Sequence, residues 1–447
     1  VQIVKASRYK HCKFYSIQAV ISSIDLTAFL IGKVTYRFGR TINYYNPYLI
    51  MLKNYKNISL VFALALSVLS TKAQTGFSDP YAPVGNPKYT VPAVVKPLFD
   101  YWMRDTYVTY GPDGFYYMTG TTVSPDRKFP NGQVHSWDYN DGIYMWRSKD
   151  MKKWEPLGLI WSFKRDATWQ KNVEKVKPGT HGPNHEPLDS VYQAIWAPEL
   201  HYIKSKKQWL LVACMSGKKG SFVLKSTSGK ATGPYVNIPG NSTGPIFSAK
   251  DVLSIPGNKE IPNYSGIDGT LFEDDNGDVY FVGKDHYIAK MKDDLSGLAE
   301  PFRRFKEMPY NPEAYIEGVY MVKHHGKYQL LQTVWSIRTT PGKDDFTYIE
   351  KAKKGQGFHS YDVVVAEADN IYGPYGPRYP AILQGGHNAV FTGKDGKWWS
   401  TTFFNPRGEM GKIFPVTCRP AVLAVKWENG KLMPDIERTE QFYKDIK

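Results

Sequence analysis

The chain has 447 residues, 42% of them hydrophobic and 15% aromatic, and a formal net charge of +15. That length suits one large all-β domain or two ordinary ones. The charge is gathered at the front: residues 1–73 hold ten Lys or Arg and a single acid, Asp25, leaving 47 basic against 41 acidic residues in the remainder. With no basic arm and no recognition helix, this balance argues against a nucleic-acid partner.

From Met51 the sequence MLKNYKNISLVFALALSVLSTKAQ has Lys53 and Lys56, then an apolar stretch at 58–69, then Thr71-Lys72-Ala73. A positive n-region, an h-region and a small residue at the cut define a secretory signal peptide over 51–73, cleaved after Ala73. The apolar stretch is too short to span a bilayer, so no membrane span is expected. With Met51 as the start, residues 1–50 read as translated upstream sequence with no fold. No cysteine follows the cut to carry a lipid anchor, and the protein is expected to be periplasmic or secreted. After Ala73 only Cys214 and Cys418 remain, too few for a disulfide framework, and Cys214 sits in an apolar run that favours burial. Residues 74–98, rich in Pro and Gly, read as an extended entry segment, and residues 99–447 as one domain, expected to be monomeric.

That domain reads as all-β, and it repeats. Runs beginning at Asp105, Asp268, Glu317 and His387 each reach a glycine nine residues later, at Gly114, Gly277, Gly326 and Gly396. A fifth run, from Glu199, has Gln208 at the glycine's place. Each is followed by an aromatic-rich segment: FYYM at 115–118, WLLV at 209–212, VYFV at 279–282, KYQLL at 327–331 and KWWS at 397–400. A strand, a turn needing positive φ and a second strand make a β-hairpin. Hairpins 49 to 94 residues apart are too widely spaced for a solenoid and suit the blades of a five-bladed β-propeller. Further strands follow within 142–158, 221–235, 359–375 and 419–434. Trp137, Trp161 and Trp169, in long connections at 121–141 and 160–192, are placed either to stack on a ligand or to pack the loops down. The acidic run 273–278 reads as a hairpin turn; Phe272 stands at the first-ligand position of a calcium loop.

Innermost propeller strands converge on the axis, so five polar residues would meet there, four of them acidic. Buried acids are costly unless paired or given a task. Two carboxyl groups across a narrow pocket can hydrolyse a glycosidic bond, one protonating the leaving oxygen and the other activating water. The donor must stay protonated near neutral pH, which burial or a third, neighbouring carboxylate can arrange.

The stretches RDTYVTYGPDGFYYMTGT at 104–121, WAPELHY at 196–202, IDGTLFEDDNGDVYFV at 267–282, IEGVY at 316–320 and GGHNAVFTGKDGKWW at 385–399 resemble glycoside hydrolase family 43, in that family's order along the chain. These five-bladed propeller enzymes act on arabinose-, xylose- and sometimes galactose-containing polysaccharides. The resemblance implies that Asp105 is the general base, Asp268 the acid that orients the donor and adjusts its proton affinity, and Glu317 the proton donor. Trp196 and Glu199 match a motif that lines or braces the pocket. His387 matches an axial histidine that touches substrate, ordered water or a metal ion, which makes a structural calcium at the axis an expectation. The sequence departs from many family members at Thr106, Gly269 and Val319, where proline is common; none of these removes a carboxylate.

The resemblance therefore implies an exported, inverting hydrolase that removes arabinosyl, xylosyl or galactosyl residues from a poly- or oligosaccharide, without a required cofactor. Inversion implies a base-to-donor carboxyl separation of roughly 6.5–9.5 Å. An invertase-like, retaining fructoside hydrolase is the alternative, but its Asn-Asp-Pro-Asn, Arg-Asp-Pro and Glu-Cys signatures are replaced here by RDTY, GIDG and IEGV. A carbohydrate-binding propeller without catalysis is the other alternative; it would lack one of the three acids, and all three are present.

Overall fold

The structure, a computed structural model, describes residues 88–123, 139–172, 191–215, 220–256, 266–284, 286–306, 316–338, 358–404 and 418–446, with short strands at 8–9, 12–13, 33–35, 41–43, 174–175 and 347–348. The chain divides into two units, Val1–Gly76 and Phe77–Lys447. In the first, Arg8–Tyr9 pairs with Cys12–Lys13, and Lys33–Thr35 with Thr41–Asn43. The signal peptide read at 51–73 lies outside the described residues.

Among the described residues the second unit holds five antiparallel sheets of four or five strands, each path ordered as its strands occur in the chain, and a two-stranded ladder of Glu174–Lys175 with Val191–Tyr192. Blade I consists of Met103–Tyr110, Tyr116–Thr122, Gly142–Ser148 and Glu155–Ser162. Blade II is Ile195–Ile203, Gln208–Met215, Gly220–Ser226 and Tyr235–Asn237. Blade III is Thr270–Glu273, Val279–Gly283, Tyr287–Lys290 and Arg303–Arg304. Blade IV is Ile316–His324, Lys327–Arg338, Phe358–Ala368 and Tyr379–Ile382, with Thr347–Tyr348 paired to its second strand. Blade V is Val390–Thr392, Trp398–Phe403, Pro420–Glu428 and Lys431–Pro434. This is the five-bladed propeller expected from the repeated hairpins.

The turn glycines occupy the left-handed region that the hairpins require, with φ of 80° at Gly114, 84° at Gly277, 77° at Gly326 and 71° at Gly396. In blade II the left-handed turn residue is Lys207, φ 50°, so that turn forms without a glycine.

Apolar residues fill the seams between neighbouring blades. Met118, Leu331, Val363, Val390 and Leu423 share one core spanning blades IV, V and I. Trp161, Leu211 and Phe222 belong to the seam between blades I and II, Phe247 and Phe281 to that between II and III, and Tyr280, Leu330 and Ala366 to that between III and IV. Burying one such side chain contributes about 1.5–3 kcal/mol relative to exposure. The ring closes between the last blade and the first: Tyr116 Oη accepts the Lys394 N–H at 2.8 Å, and Met103 N–H donates to Cys418 O at 2.7 Å. The acidic run 273–278 is a hairpin turn, as expected. Its Asp274 binds Lys323 Nζ at 2.7 Å and the Tyr328 hydroxyl at 2.5 Å, tying blade III to blade IV.

Two features differ from the sequence reading or resolve it. A helix, Ile436–Lys444, ends the fold where no helical periodicity was evident. It is nine residues long, and only Thr439, Phe442 and Tyr443 are buried, too few for a clear 3.6-residue signal. Asp435 caps it by accepting the Arg438 N–H, and Tyr443 Oη donates to Val422 O at 2.8 Å. The connecting-loop tryptophans pack inward: Trp161 is fully buried, and Trp169 donates Nε1–H to Asn241 O while meeting Phe222 edge-on. Trp137 lies outside the described residues. Cys214 and Cys418 are both buried and unpaired as cysteines.

Candidate active site

The innermost strands of blades I, II and IV begin with a β-bulge, between Arg104 and Tyr107, Trp196 and Glu199, and Glu317 and Val319. At the same level the backbone enters the left-handed region, with φ of 51° at Asp105, 43° at Ala197, 53° at Asp268 and 53° at Gly318. A bulge bends the strand and re-aims a side chain, here at the end of each strand nearest the axis entrance. Non-glycine residues held there cost about 1–3 kcal/mol each, a strain that clusters at functional sites. The carboxyl-bearing residues Asp105, Asp268 and Glu317 thus come from blades I, III and IV through one backbone device.

Asp105 is tightly held. Thr121 Oγ1–H donates to its Oδ2 at 2.6 Å, and Thr121 Oγ1 in turn accepts the Ala197 N–H at 2.8 Å. His387 Nδ1 lies 3.4 Å from Asp105 Oδ1, with side-chain exposures of 7% and 13%. Burial pushes the Asp105 carboxyl up, but the hydrogen bond and charge of His387, the Arg104 guanidinium and the Thr121 hydroxyl outweigh it, bringing the pKa down to about 2. Asp105 is therefore ionised at any ordinary pH. Burial alone would lower His387, yet its bond to Asp105 and the charges of Asp105, Asp268 and Glu199 raise it to about 9, so the ring is an imidazolium at neutral pH. The imidazole packs directly against Gly318, where an added Cβ would stand 2.5 Å from Cδ2.

Asp268 is the opposite case. Its Oδ2 accepts the Gly318 N–H at 3.1 Å, and Cys214 Sγ approaches its Oδ1 at 3.8 Å and its N–H at 3.5 Å. Burial pushes its carboxyl up; His387 and Lys284 oppose this, while the negative charges of Glu317 and Asp105 add to it. Glu317 is half-buried, and Tyr361 Oη donates to its Oε2 at 2.7 Å. Two carboxyl groups whose surroundings push them apart, beside a third, form the pattern from which acid and base roles arise.

The raised Asp268 has a consequence for stability. A carboxyl with a raised folded-state pKa binds its proton more tightly folded than unfolded, so stability is lost as pH rises through the folded value. Asp268→Asn retains an oxygen for the Gly318 N–H and removes this loss. The variant should melt higher than the parent at pH 7 and show no such gain near pH 3, below the ordinary carboxylate range. A melting temperature unchanged or lowered at pH 7 would contradict the burial argument. This gain should accompany at least a tenfold loss of activity, the usual opposition between stability and a strained site.

Glu199 does not stand with these acids. The bulge places Ala197 at the level of Asp105 and moves Glu199 two residues deeper, level with Tyr107. There its Oε2 binds His201 Nε2 at 2.8 Å and accepts the Thr270 hydroxyl at 2.5 Å, while Tyr107 Oη meets His201 Nδ1 at 3.2 Å and Tyr320 Oη at 3.4 Å. This buried network joins all of blades I to IV beneath the acid layer. The nine-residue spacing alone missed this offset, because the left-handed turn residue of blade II is Lys207, ten residues after Ala197, and Gln208 already opens the second strand. Trp196 is half-buried at the level of Arg104, and its carbonyl accepts the Cys214 thiol at 3.5 Å. Sequence reasoning also assigned no role to Thr121, which ends the stretch 104–121 on a second strand, or to Tyr361, which lies on a third strand and in no motif.

His387 was expected near an axial metal. Calcium takes six to eight oxygen donors. Among the described residues no group of three His, Cys, Asp or Glu side chains comes together to hold a metal. His387 turns Nδ1 to Asp105, and no step below is routed through a metal.

Three carboxyl-bearing strand ends of one propeller, two of them at strained non-glycine residues, Asp105 and Asp268, thus form a candidate site for acid–base chemistry. Residues 94–432 match the family described as Glycosyl hydrolases family 43, and the chain belongs to that family. The chain is similar to a beta-D-galactofuranosidase, xynD, of Aspergillus niger, at 27% identity over 223 residues, covering 45% of this chain and about half (54%) of the relative. Among solved structures it is similar to an endo-1,4-beta-xylanase from Bacteroides thetaiotaomicron, with 21% identity, a TM-score of 0.48 and coverage of 75% of this chain and 95% of that one. A xylan beta-1,4-xylosidase from Bacillus halodurans has 18% identity, a TM-score of 0.49 and coverage of 77% and 56%.

Among the described residues, no helix is long and apolar enough to cross a membrane.

Proposed function

We propose that this glycosidase inverts the anomeric centre and removes arabinosyl, xylosyl or galactosyl residues from plant-type poly- or oligosaccharides. The observation that carries the reading is the division of labour among the three carboxyl groups: Asp105 is locked as an anion by His387, Arg104 and Thr121, while Asp268 is pushed toward its protonated form beside Glu317. Asp105 is assigned as the base that takes a proton from the attacking water. Glu317 is assigned as the donor that protonates the leaving oxygen. Asp268 accepts the Gly318 N–H, from the residue that follows the donor in the chain, and is assigned as the acid that orients the donor.

The test is a screen of the purified protein against aryl α-L-arabinofuranoside, β-D-xyloside, β-D-galactopyranoside and β-D-galactofuranoside. The galactofuranoside is included because the curated relative is named for that activity. Proton NMR of the first product should show the inverted anomer; the retained anomer would reject the assignment of Asp105 as a base acting through water.

Export is part of the proposal and is supported by the n-region, h-region and small residue at 51–73. Mass spectrometry of the extracytoplasmic protein should find Gln74 at or near its N-terminus, and an intact residue 1–50 segment there would overturn it. Action as a monomer is part of the proposal, and light scattering of the purified protein tests it.

A further inference from the structure

Tyr361 lies on the third strand of blade IV and carries no part of any motif, yet it reaches the assigned donor. Val363 pairs with Thr333, and Thr333 pairs with Glu317, so these three form one rung of the blade. Tyr361 stands two residues farther along and on the same sheet face as Val363. Its side chain crosses the middle strand, and Oη donates to Glu317 Oε2 at 2.7 Å. The residue is held on both sides: its ring meets Phe403 of blade V edge-on at 6.1 Å, and its carbonyl accepts the Gly386 N–H at 3.1 Å. It is buried, with 3% of its surface exposed.

We propose that Tyr361 is a positioning residue for the proton donor, fixing which oxygen of Glu317 hands over its proton. The proposal rests on Glu317 being the donor. In a protonated carboxyl one oxygen is the carbonyl acceptor and the other carries the hydrogen. A hydroxyl donating to Oε2 makes Oε2 the acceptor, so the proton sits on Oε1, and the carboxyl plane cannot rotate without breaking the bond. As the bond from the anomeric carbon to the leaving oxygen breaks, its electron pair goes to that oxygen and the Oε1 proton joins it. Water adds to the anomeric carbon and passes a proton to Asp105. Glu317 leaves the step as a carboxylate, to which a hydrogen bond is stronger than to the neutral acid. Tyr361 therefore binds the transition state better than the ground state, which is what accelerates a step. Burial, then the negative charge of Glu317, hold the Tyr361 hydroxyl well above the ordinary tyrosine range, so it remains a donor throughout.

The experiment compares the full-length parent, Tyr361→Phe, Glu317→Gln and the double variant on phenyl and 2,4-dinitrophenyl glycosides of the sugar the parent hydrolyses in the screen above. Tyr361→Phe should lower kcat on the phenyl glycoside by roughly 10- to 100-fold, the scale of a misplaced catalytic group, with KM little changed. The loss should shrink on the dinitrophenyl glycoside, whose leaving group hardly needs a proton. The double variant should be no slower than Glu317→Gln, because both changes act on one proton. Equal losses for Tyr361→Phe on both glycosides, with Glu317→Gln still discriminating between them, would overturn the positioning role and leave the donor assignment standing. A Glu317→Gln variant that does not discriminate would overturn the donor assignment and this proposal with it. Should Tyr361→Phe melt much lower than the parent, the double-variant comparison still decides: rates multiplying independently would show that the hydroxyl does not act through Glu317.

Discussion

Replacing Glu317 by glutamine should lower kcat on unactivated glycosides by ~10²–10⁴-fold, or about 3–5 kcal/mol of barrier, because proton donation to the leaving oxygen is lost. The loss should largely disappear with dinitrophenyl glycosides. Asp105→Asn should cost at least as much on both substrates, because water must be activated whatever leaves. The structure sharpens the contrast. Asp105 is bound on one oxygen by Thr121 and approached on the other by His387, and these partners exist to hold an anion. Asparagine cannot accept a proton there, and it would also leave the buried imidazolium without its counter-ion, so a loss of thermal stability should accompany the loss of rate. Measuring kcat against leaving-group acidity for the two variants separates the roles. A Glu317→Gln variant equally inactive on both substrates, with Asp105→Asn rescued by dinitrophenol, would show that the roles are reversed.

Gly318→Ala should be strongly damaging to both the propeller core and the site. The residue has φ 53°, and its new Cβ would stand 2.5 Å from His387 Cδ2 and 2.7 Å from Cγ. The left-handed backbone costs an alanine about 1–2 kcal/mol, and overpacking a buried site costs a further ~1–3 kcal/mol. The ring cannot yield freely, because Asp105 holds it from the other side. A destabilisation of about 2–5 kcal/mol is therefore expected, with activity reduced more than tenfold as His387 and Asp105 shift together. Gly326→Ala is the control. It too has positive φ, 77°, but nothing lies within 4 Å of the added methyl, so only the backbone penalty of about 1–2 kcal/mol should appear. Adding His387→Ala to Gly318→Ala should restore part of the stability by removing the overlap, giving a coupling energy that chemical denaturation can measure. Strict additivity of the two changes would mean that the methyl and the ring do not compete for the same space.

Much of the architecture could be read from the chain, since it is written in local chemistry. A turn that needs positive φ selects glycine, and an aromatic-rich strand after it selects a hairpin; four of five blades carry both signals at the same spacing. Asp105, Asp268 and Glu317 were found because each opens such a hairpin, and the family resemblance then supplied their roles. Blade II shows where local reading ends. Lys207 adopts the left-handed turn without being glycine, ten residues after Ala197, and the bulge after Trp196 sets Ala197 and not Glu199 at the level of Asp105, so a nine-residue spacing pointed to the wrong level of the axis. A bulge is decided by how two strands pair, and that pairing is absent from either strand alone.

What only the tertiary structure decided is the surroundings of each acid. Asp105 and Asp268 are the same side chain in the same backbone conformation, 51° and 53°, at the mouths of two blades. One is held to about 2 by His387, Arg104 and Thr121; the other is pushed up by burial among other carboxylates. Those partners come from blades I, III, IV and V, as far as 282 positions away in sequence. The order of residues determined that acids would reach the axis. The closing of the ring determined how tightly each would hold its proton, because a carboxyl's proton affinity depends on distances that no run of neighbouring residues specifies.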